Sequence, residues 1–216
     1  MSRKKRSLNL KFKVFCEGDT EYNYFEYIRK NKIISLTLNA VNMSGGGYAN
    51  FMTELKKDSN TDCLAKFIII DGDRANAFPK EAKALKELVQ YCIIQNKSER
   101  TPHILIIDYP DFEYVGCLHC EEYKGGSVEK FIKDSLKYKS VEDFKADEYV
   151  YDKLNSGKNT HENVKTKVST SNNIIVNRFN INKSQFEILV DTIYEEANIG
   201  KRGTNFQDFF EVTGSW

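Results

Sequence analysis

Phe67-Ile68-Ile69-Ile70 is an apolar run with no polar alternate, and it stops abruptly on Asp71-Gly72-Asp73. A strand with one wet face alternates apolar and polar residues, whereas a run lacking a polar face belongs to a strand covered on both sides. His103-Ile104-Leu105-Ile106-Ile107-Asp108 repeats the pattern and is terminated by Pro110. Residues 10–16 form a third strand-like stretch, with Leu10, Phe12, Val14 and Cys16 on one face, and they run straight into Glu17-Gly18. Covered strands of this kind require helices on both sides of a parallel sheet.

The intervening segments supply such helices. Asp19 or Thr20 can cap a helix reaching about Asn31, with Tyr24, Phe25 and Ile28 as its inner stripe. Ile33 to Met43 alternates roughly like a second strand, interrupted by Asn39 and Asn42. Ser44-Gly45-Gly46-Gly47 reads as a flexible turn before a helix from about Tyr48 to Lys57. Pro79 suits the first turn of a helix extending to about Ile94, and Asp111 opens one that Gly125-Gly126 would end near Tyr123. This alternation predicts a doubly wound, mainly parallel α/β sheet with right-handed crossovers. After Gly126 the pattern changes: 127–155 and 183–198 read as helical, while 156–180 is rich in Lys, Asn, Ser and Thr. The expected organisation is an α/β core over 8–124 and a mainly helical C-terminal appendage over 125–216 with a polar, mobile middle.

Bulk properties exclude some classes. With 40% hydrophobic residues in 216, the chain has the material for a real core and is not a disordered polymer. The 32 basic and 31 acidic residues leave a net charge of +1, so overall charge selects no partner. Arg3-Lys4-Lys5-Arg6 reads either as a solvated terminus or as a phosphate-contacting arm. No stretch is long and apolar enough to span a membrane, and Lys11 and Lys13 interrupt any signal-peptide core between Leu8 and Cys16. The five cysteines (16, 63, 92, 117 and 120) are odd in number and lack framework spacing, which is the pattern of reduced thiols in a cytoplasmic protein.

The chemistry lies at the strand ends. In open α/β sheets ligands bind beyond the carboxyl ends of the strands, where Glu17, Asp71 and Asp108 all fall. Asp71 and Asp73 are two residues apart, so extended backbone puts both carboxylates on one side while Gly72 permits a tight turn. Grouped hard oxygens favour Mg²⁺ or Mn²⁺ over zinc, and a cation relieves the repulsion between packed carboxylates. Asp-x-Asp alone is equally compatible with a solvated loop. Cys117-Leu118-His119-Cys120 lacks a second ligand pair for zinc and reads as a core-facing thiol pair, with His119 a helix residue oriented by the fold. The glycine run at 45–47 lacks the Lys-Ser or Lys-Thr of a P-loop, and no nucleophile motif is present.

Cys16-Glu17-Gly18 with Thr20-Glu21 and Tyr24-Phe25, then Asp71-x-Asp73, then Pro110-x-Phe112-Glu113 with Leu118-His119, together cover roughly residues 10–124. In this order they resemble the TOPRIM domain of topoisomerases, primases and overcoming-lysogenization-defect nucleases, and within that superfamily the RloB-like proteins. The step from Glu17-Gly18 to Thr20-Glu21 is one residue shorter than in many members. The resemblance implies a TOPRIM fold and a metal-dependent phosphoryl-transfer site. Glu17 would be its general acid or base; Asp71 and Asp73, with Glu17, would hold the cation; Glu21 and Glu113 would complete the cluster. Arg74 and Lys124 would position a nucleic-acid backbone. A nuclease-like role in bacterial defence against phage or foreign DNA, beside a partner ATPase, is likewise implied by the resemblance. Two other functions fit the same carboxylates: nucleotidyl transfer yielding a small nucleotide product, and a non-catalytic metal- or nucleotide-binding adaptor. An enzyme that cuts both strands would often be a homo-oligomer.

Overall fold

The computed structural model describes residues 11–33, 37–42, 47–58, 63–98 and 101–215. Leu10, the basic run Arg3–Arg6 and the turn residues 44–46 lie outside them, as do Ile34–Leu36 and Met43 of the expected second strand. The central sheet has the order β2-β1-β3-β4-β7. Its first four strands are β1 (Lys11–Cys16), β2 (Thr37–Asn42), β3 (Ala65–Asp71) and β4 (His103–Tyr109), all mutually parallel. The two-residue β7 (Gly203–Thr204) joins β4 antiparallel, pairing Thr204 with Asp108. The α/β class and mainly parallel sheet expected from the apolar runs are therefore present.

Side chains alternate between two buried layers, which is why β3 and β4 carry no polar face. Phe12, Val14, Phe67, Ile69, Ile104 and Ile106 face one cluster, and Phe15, Ile68, Ile70, Leu105 and Ile107 face the other. Helices α1 (Asp19–Lys30) and α5 (Phe112–His119) cover the first face. Helices α2 (Gly47–Lys57) and α4 (Pro79–Lys97) cover the second. Tyr24, Phe25 and Ile28 form the buried stripe of α1, as the spacing indicates, but its cap is Gly18 with no side-chain cap bond. A five-residue helix α3 (Asp73–Ala77) precedes α4. Helix α5 stops four residues before Tyr123, with Cys120 as its C-cap.

The C-terminal third departs from expectation. Residues 127–155 are helical in three short pieces: α6 (Val128–Asp134), α7 (Val141–Lys145) and α8 (Val150–Leu154). The polar stretch after them contains α9 (His161–Lys167) rather than only loop. Residues expected as a helix over 183–198 instead contain strand β6 (Glu187–Tyr194), which pairs antiparallel with β5 (Ile175–Asn182). The apolar residues of β6 cluster at Ile188-Leu189-Val190 and Ile193-Tyr194, a spacing compatible with either period, and the pairing to β5 selects the strand. Phe206, together with Phe209 and Val212 of α10 (Gln207–Gly214), shares one apolar cluster with Phe12, Phe25 and Phe67.

Residues after 204 also close the sheet. Beyond the short β7, the open edge of β4 is met by side chains: Asn205 Oδ1 accepts from Ile107 N–H at 3.0 Å, and Asn205 Nδ2 donates to Leu105 O at 2.9 Å. Asn177 of β5 donates to the same carbonyl at 3.0 Å. Asp208 Oδ2 accepts from both amides, at 2.9 Å from Asn177 and 2.8 Å from Asn205. Two asparagine amides thus take the place of a further strand.

Candidate active site

The sheet is chemically polarised along its strands. Near the amino ends, Lys13 and Lys66 both pair with Asp58, at 2.7 and 2.9 Å. At the carboxyl ends the charges are acidic. Glu17 follows β1, Asp71 ends β3, and Asp108, in register with Asp71, lies near the end of β4. Glu21 projects from the first turn of α1 and Glu113 from that of α5. Glu17, Glu21, Asp108 and Glu113 are all buried.

Three of the carboxylates are held by hydrogen bonds from neighbouring elements. Thr20 Oγ1 donates to Glu113 Oε1 at 2.7 Å, tying α1 to α5. Phe112 N–H donates to Asp71 Oδ1 at 2.9 Å, so the start of α5 is fixed on the end of β3. Thr204 Oγ1 donates to Asp108 Oδ1. Tyr48, fully buried on α2, donates its hydroxyl to Asp71 O at 2.6 Å and accepts from Ala75 N–H at 3.3 Å. One side chain thereby bridges the Asp71-Gly72-Asp73 turn. Gly18 leaves room for the Glu21 carboxylate: a Cβ there would stand 2.9 Å from Glu21 Oε2 and push it aside.

Electrostatically these groups are strained. Burial, reinforced by the charges of Glu113, Asp108 and Glu17, pushes the Glu21 carboxyl up to about 8. Burial also raises Asp108 to about 8 against the pull of Thr204, and raises Asp71 well above the carboxylate range with Glu21 and Glu113 adding to it. Glu17 is raised by burial despite Arg74, and Asp111, the N-cap of α5, rises to about 6. Glu17 Oε2, Glu21 Oε1 and Asp108 Oδ2 are buried without a hydrogen-bond partner. Such oxygens hold either protons or a cation.

Two cations reach this cluster. Arg74 Nε lies 3.2 Å from Glu17 Oε1, and Lys145 Nζ lies 3.2 Å from Glu113 Oε2. Arg74 was expected there from sequence; Lys145, on α7, was not, because nothing in the sequence connects residues 113 and 145. Lys124 is not brought to the carboxylates: it donates to Glu121 O at 3.2 Å and lies near Lys167. Asp73 is exposed, its Oδ1 accepting from Arg74 N–H at 2.6 Å. The donor set fits a hard cation in kind, with three unsatisfied carboxylate oxygens. Among the described residues, however, no three His, Cys, Asp or Glu side chains are already gathered round one point to hold a metal.

The cysteine-histidine cluster belongs to the core. Cys117 and Cys120 are buried, and His119 is fully enclosed, with Tyr24 Oη 2.9 Å from Nε2 and Val115 O 2.9 Å from Nδ1. No helix among the described residues is long and apolar enough to cross a membrane. No protein-family model, curated protein or solved structure matches the chain.

Proposed function

We propose that this protein is a Mg²⁺- or Mn²⁺-dependent phosphoryl-transfer enzyme of TOPRIM-like, RloB-like type, acting as a nuclease on DNA or RNA in bacterial defence. The observation that carries the reading is the meeting of buried Glu17, Glu21, Asp108 and Glu113 with half-buried Asp71 at the carboxyl ends of three parallel strands, mutually repelling. Carboxylates kept together at such a cost are the equipment of a phosphate-handling metal site rather than of a folding core. Glu17, Asp71 and Asp73 would hold the cation, which when bound supplies neutralisation of phosphate charge. Glu17, buried beside Arg74, has its affinity for protons raised by burial, the direction that suits a carboxyl serving as general acid or base. Arg74 and Lys145, each already opposite one carboxylate, are placed to turn toward a phosphate oxygen. The motif resemblance over residues 10–124 supplies the defence setting and a partner ATPase; cytoplasmic location agrees with the odd number and non-framework spacing of the five cysteines.

The test is cleavage of labelled single- and double-stranded DNA and RNA with Mg²⁺, Mn²⁺ or EDTA, beside Asp71→Ala/Asp73→Ala. Metal-dependent cleavage lost in the variant is expected. A folded wild-type protein that cleaves nothing, alone or with an ATPase partner, while converting nucleoside triphosphates to a small product would replace nuclease by nucleotidyl transfer.

A further inference from the structure

Arg74 stands between two carboxylates, and only one of them, Glu17, belongs to the cluster at the strand ends. Its Nε lies 3.2 Å from Glu17 Oε1. Its Nη1 is turned toward Gly47, the first residue of α2, and Glu81 of α4 meets the same glycine. A Cβ on Gly47 would stand 3.5 Å from Arg74 Nη1 and 3.2 Å from Glu81 Oε2. The two charged atoms therefore lie within about 7 Å of each other, close enough for opposite charges to attract appreciably. Gly47 also has a φ of 74°, a conformation that strains a side chain, so the approach of the three groups relies on glycine at that position.

Glu81 is anchored, whereas Arg74 has room to turn. Glu81 Oε2 accepts from Tyr48 N–H at 3.2 Å, tying the first turn of α4 to that of α2. The hydroxyl of the same tyrosine holds Asp71 O and Ala75 N–H, so Glu81 is fixed to the frame of the Asp71-Gly72-Asp73 turn. The Arg74 side chain, by contrast, is 39% exposed. A guanidinium carries five N–H donors at the end of a long stem, and side-chain rotation alone can carry it from one carboxylate to the next. Two cations on Glu17 would repel each other, and a second carboxylate within reach of Arg74 removes that conflict. Resting on the metal-dependent reading above, we propose that Glu81 is a positioning residue, the second seat of Arg74. The guanidinium covers Glu17 in the resting crevice and turns to Glu81 when Glu17 takes a divalent cation.

Mn²⁺ binding by the full chain, followed by the free-ion signal in electron paramagnetic resonance, tests this as a double-mutant cycle. Glu81→Gln keeps an acceptor for Tyr48 N–H and removes only the charge, while Arg74→Met keeps the stem and removes the guanidinium. With Arg74 present, Glu81→Gln should weaken Mn²⁺ binding about tenfold, a loss of about 1.4 kcal/mol, because the guanidinium is left competing for Glu17. In the Arg74→Met background the same change should weaken binding less than about twofold. Glu81→Asp, which retains the charge, should keep most of the wild-type affinity, and circular dichroism checks that each variant is folded. The proposal is overturned if Glu81→Gln leaves Mn²⁺ affinity unchanged. It is equally overturned if the loss is the same with and without Arg74, since a carboxylate acting directly on the cation needs no arginine. Should neither wild type nor Arg74→Met bind Mn²⁺ at about 10 mM, a level where even very weak complexes register, the metal-dependent reading itself falls and this proposal with it.

Discussion

Asn205→Ala tests the most unusual joint in the fold, the replacement of a sheet strand by side-chain amides. Asn205 is 1% exposed. Its removal takes from Ile107 N–H, buried on the sealed edge of β4, the acceptor it bonds. A stranded buried donor costs about 1–3 kcal/mol. Leu105 O and Asp208 Oδ2 each lose one of two donors but retain Asn177, so their loss is nearer an ordinary bond of about 1 kcal/mol each. The sum is about 3–5 kcal/mol, a large part of the roughly 5–15 kcal/mol that typically holds a domain. Asn177→Ala should cost less, because Ile107 keeps its partner. The assay is equilibrium urea unfolding, with the midpoint falling and the slope unchanged. Lys183→Ala, at an exposed position of the hairpin turn, is the control and should stay within about 0.5 kcal/mol of wild type. An Asn205→Ala protein within about 1 kcal/mol of wild type would refute the edge-sealing argument.

Four other outcomes follow from the site and its surroundings. Glu21 and Asp108 are raised to about 8 and Asp208 to about 7, chiefly by burial, so the folded state holds protons that the unfolded chain has lost. His103 and His119 are lowered from 6.5 to about 4 and act in the opposite sense, but only below about 6.5. Stability should therefore fall as pH rises from about 6.5 to 9, and Asp108→Asn should flatten a melting-temperature profile over that window. Saturating Mg²⁺ or Mn²⁺ should raise the melting temperature most at the alkaline end, and EDTA should reverse it; a pH-independent profile unmoved by cations would contradict the reading of the cluster. Tyr48→Phe removes one oxygen that serves Asp71 O and Ala75 N–H, so it should cost about 1–2 kcal/mol and speed amide exchange at Asp73–Ala77. Unaltered exchange there would deny Tyr48 its bridging role. Gly18→Ala presses a methyl against the flexible end of Glu21, so metal-dependent activity should fall tenfold or more while stability changes by under about 1 kcal/mol. Equal loss of both would mean that the methyl disturbs packing around the end of β1 as well as the carboxylate.

Much of this was visible in one dimension. The apolar runs ending on Glu17, Asp71 and Asp108 marked three buried parallel strands and the edge where their carboxylates meet, because a strand covered on both faces must be apolar throughout. The stripe Tyr24, Phe25 and Ile28 marked the covered face of α1 for the same reason. The β5–β6 hairpin was hidden, since Ile188 to Tyr194 satisfies a helical or a strand period about equally and only pairing with residues 175–182 decides between them. Lys145 opposite Glu113, Thr204 on Asp108, Tyr48 under Asp71 and Asn205 along β4 were hidden more deeply. Residue periodicity records which side of an element is shielded from water, and so the sequence by itself determined the strands, their direction and the acidic edge. Which distant donor meets a given buried acceptor depends on where chain crossings bring remote segments together, and that was decided only by tertiary packing.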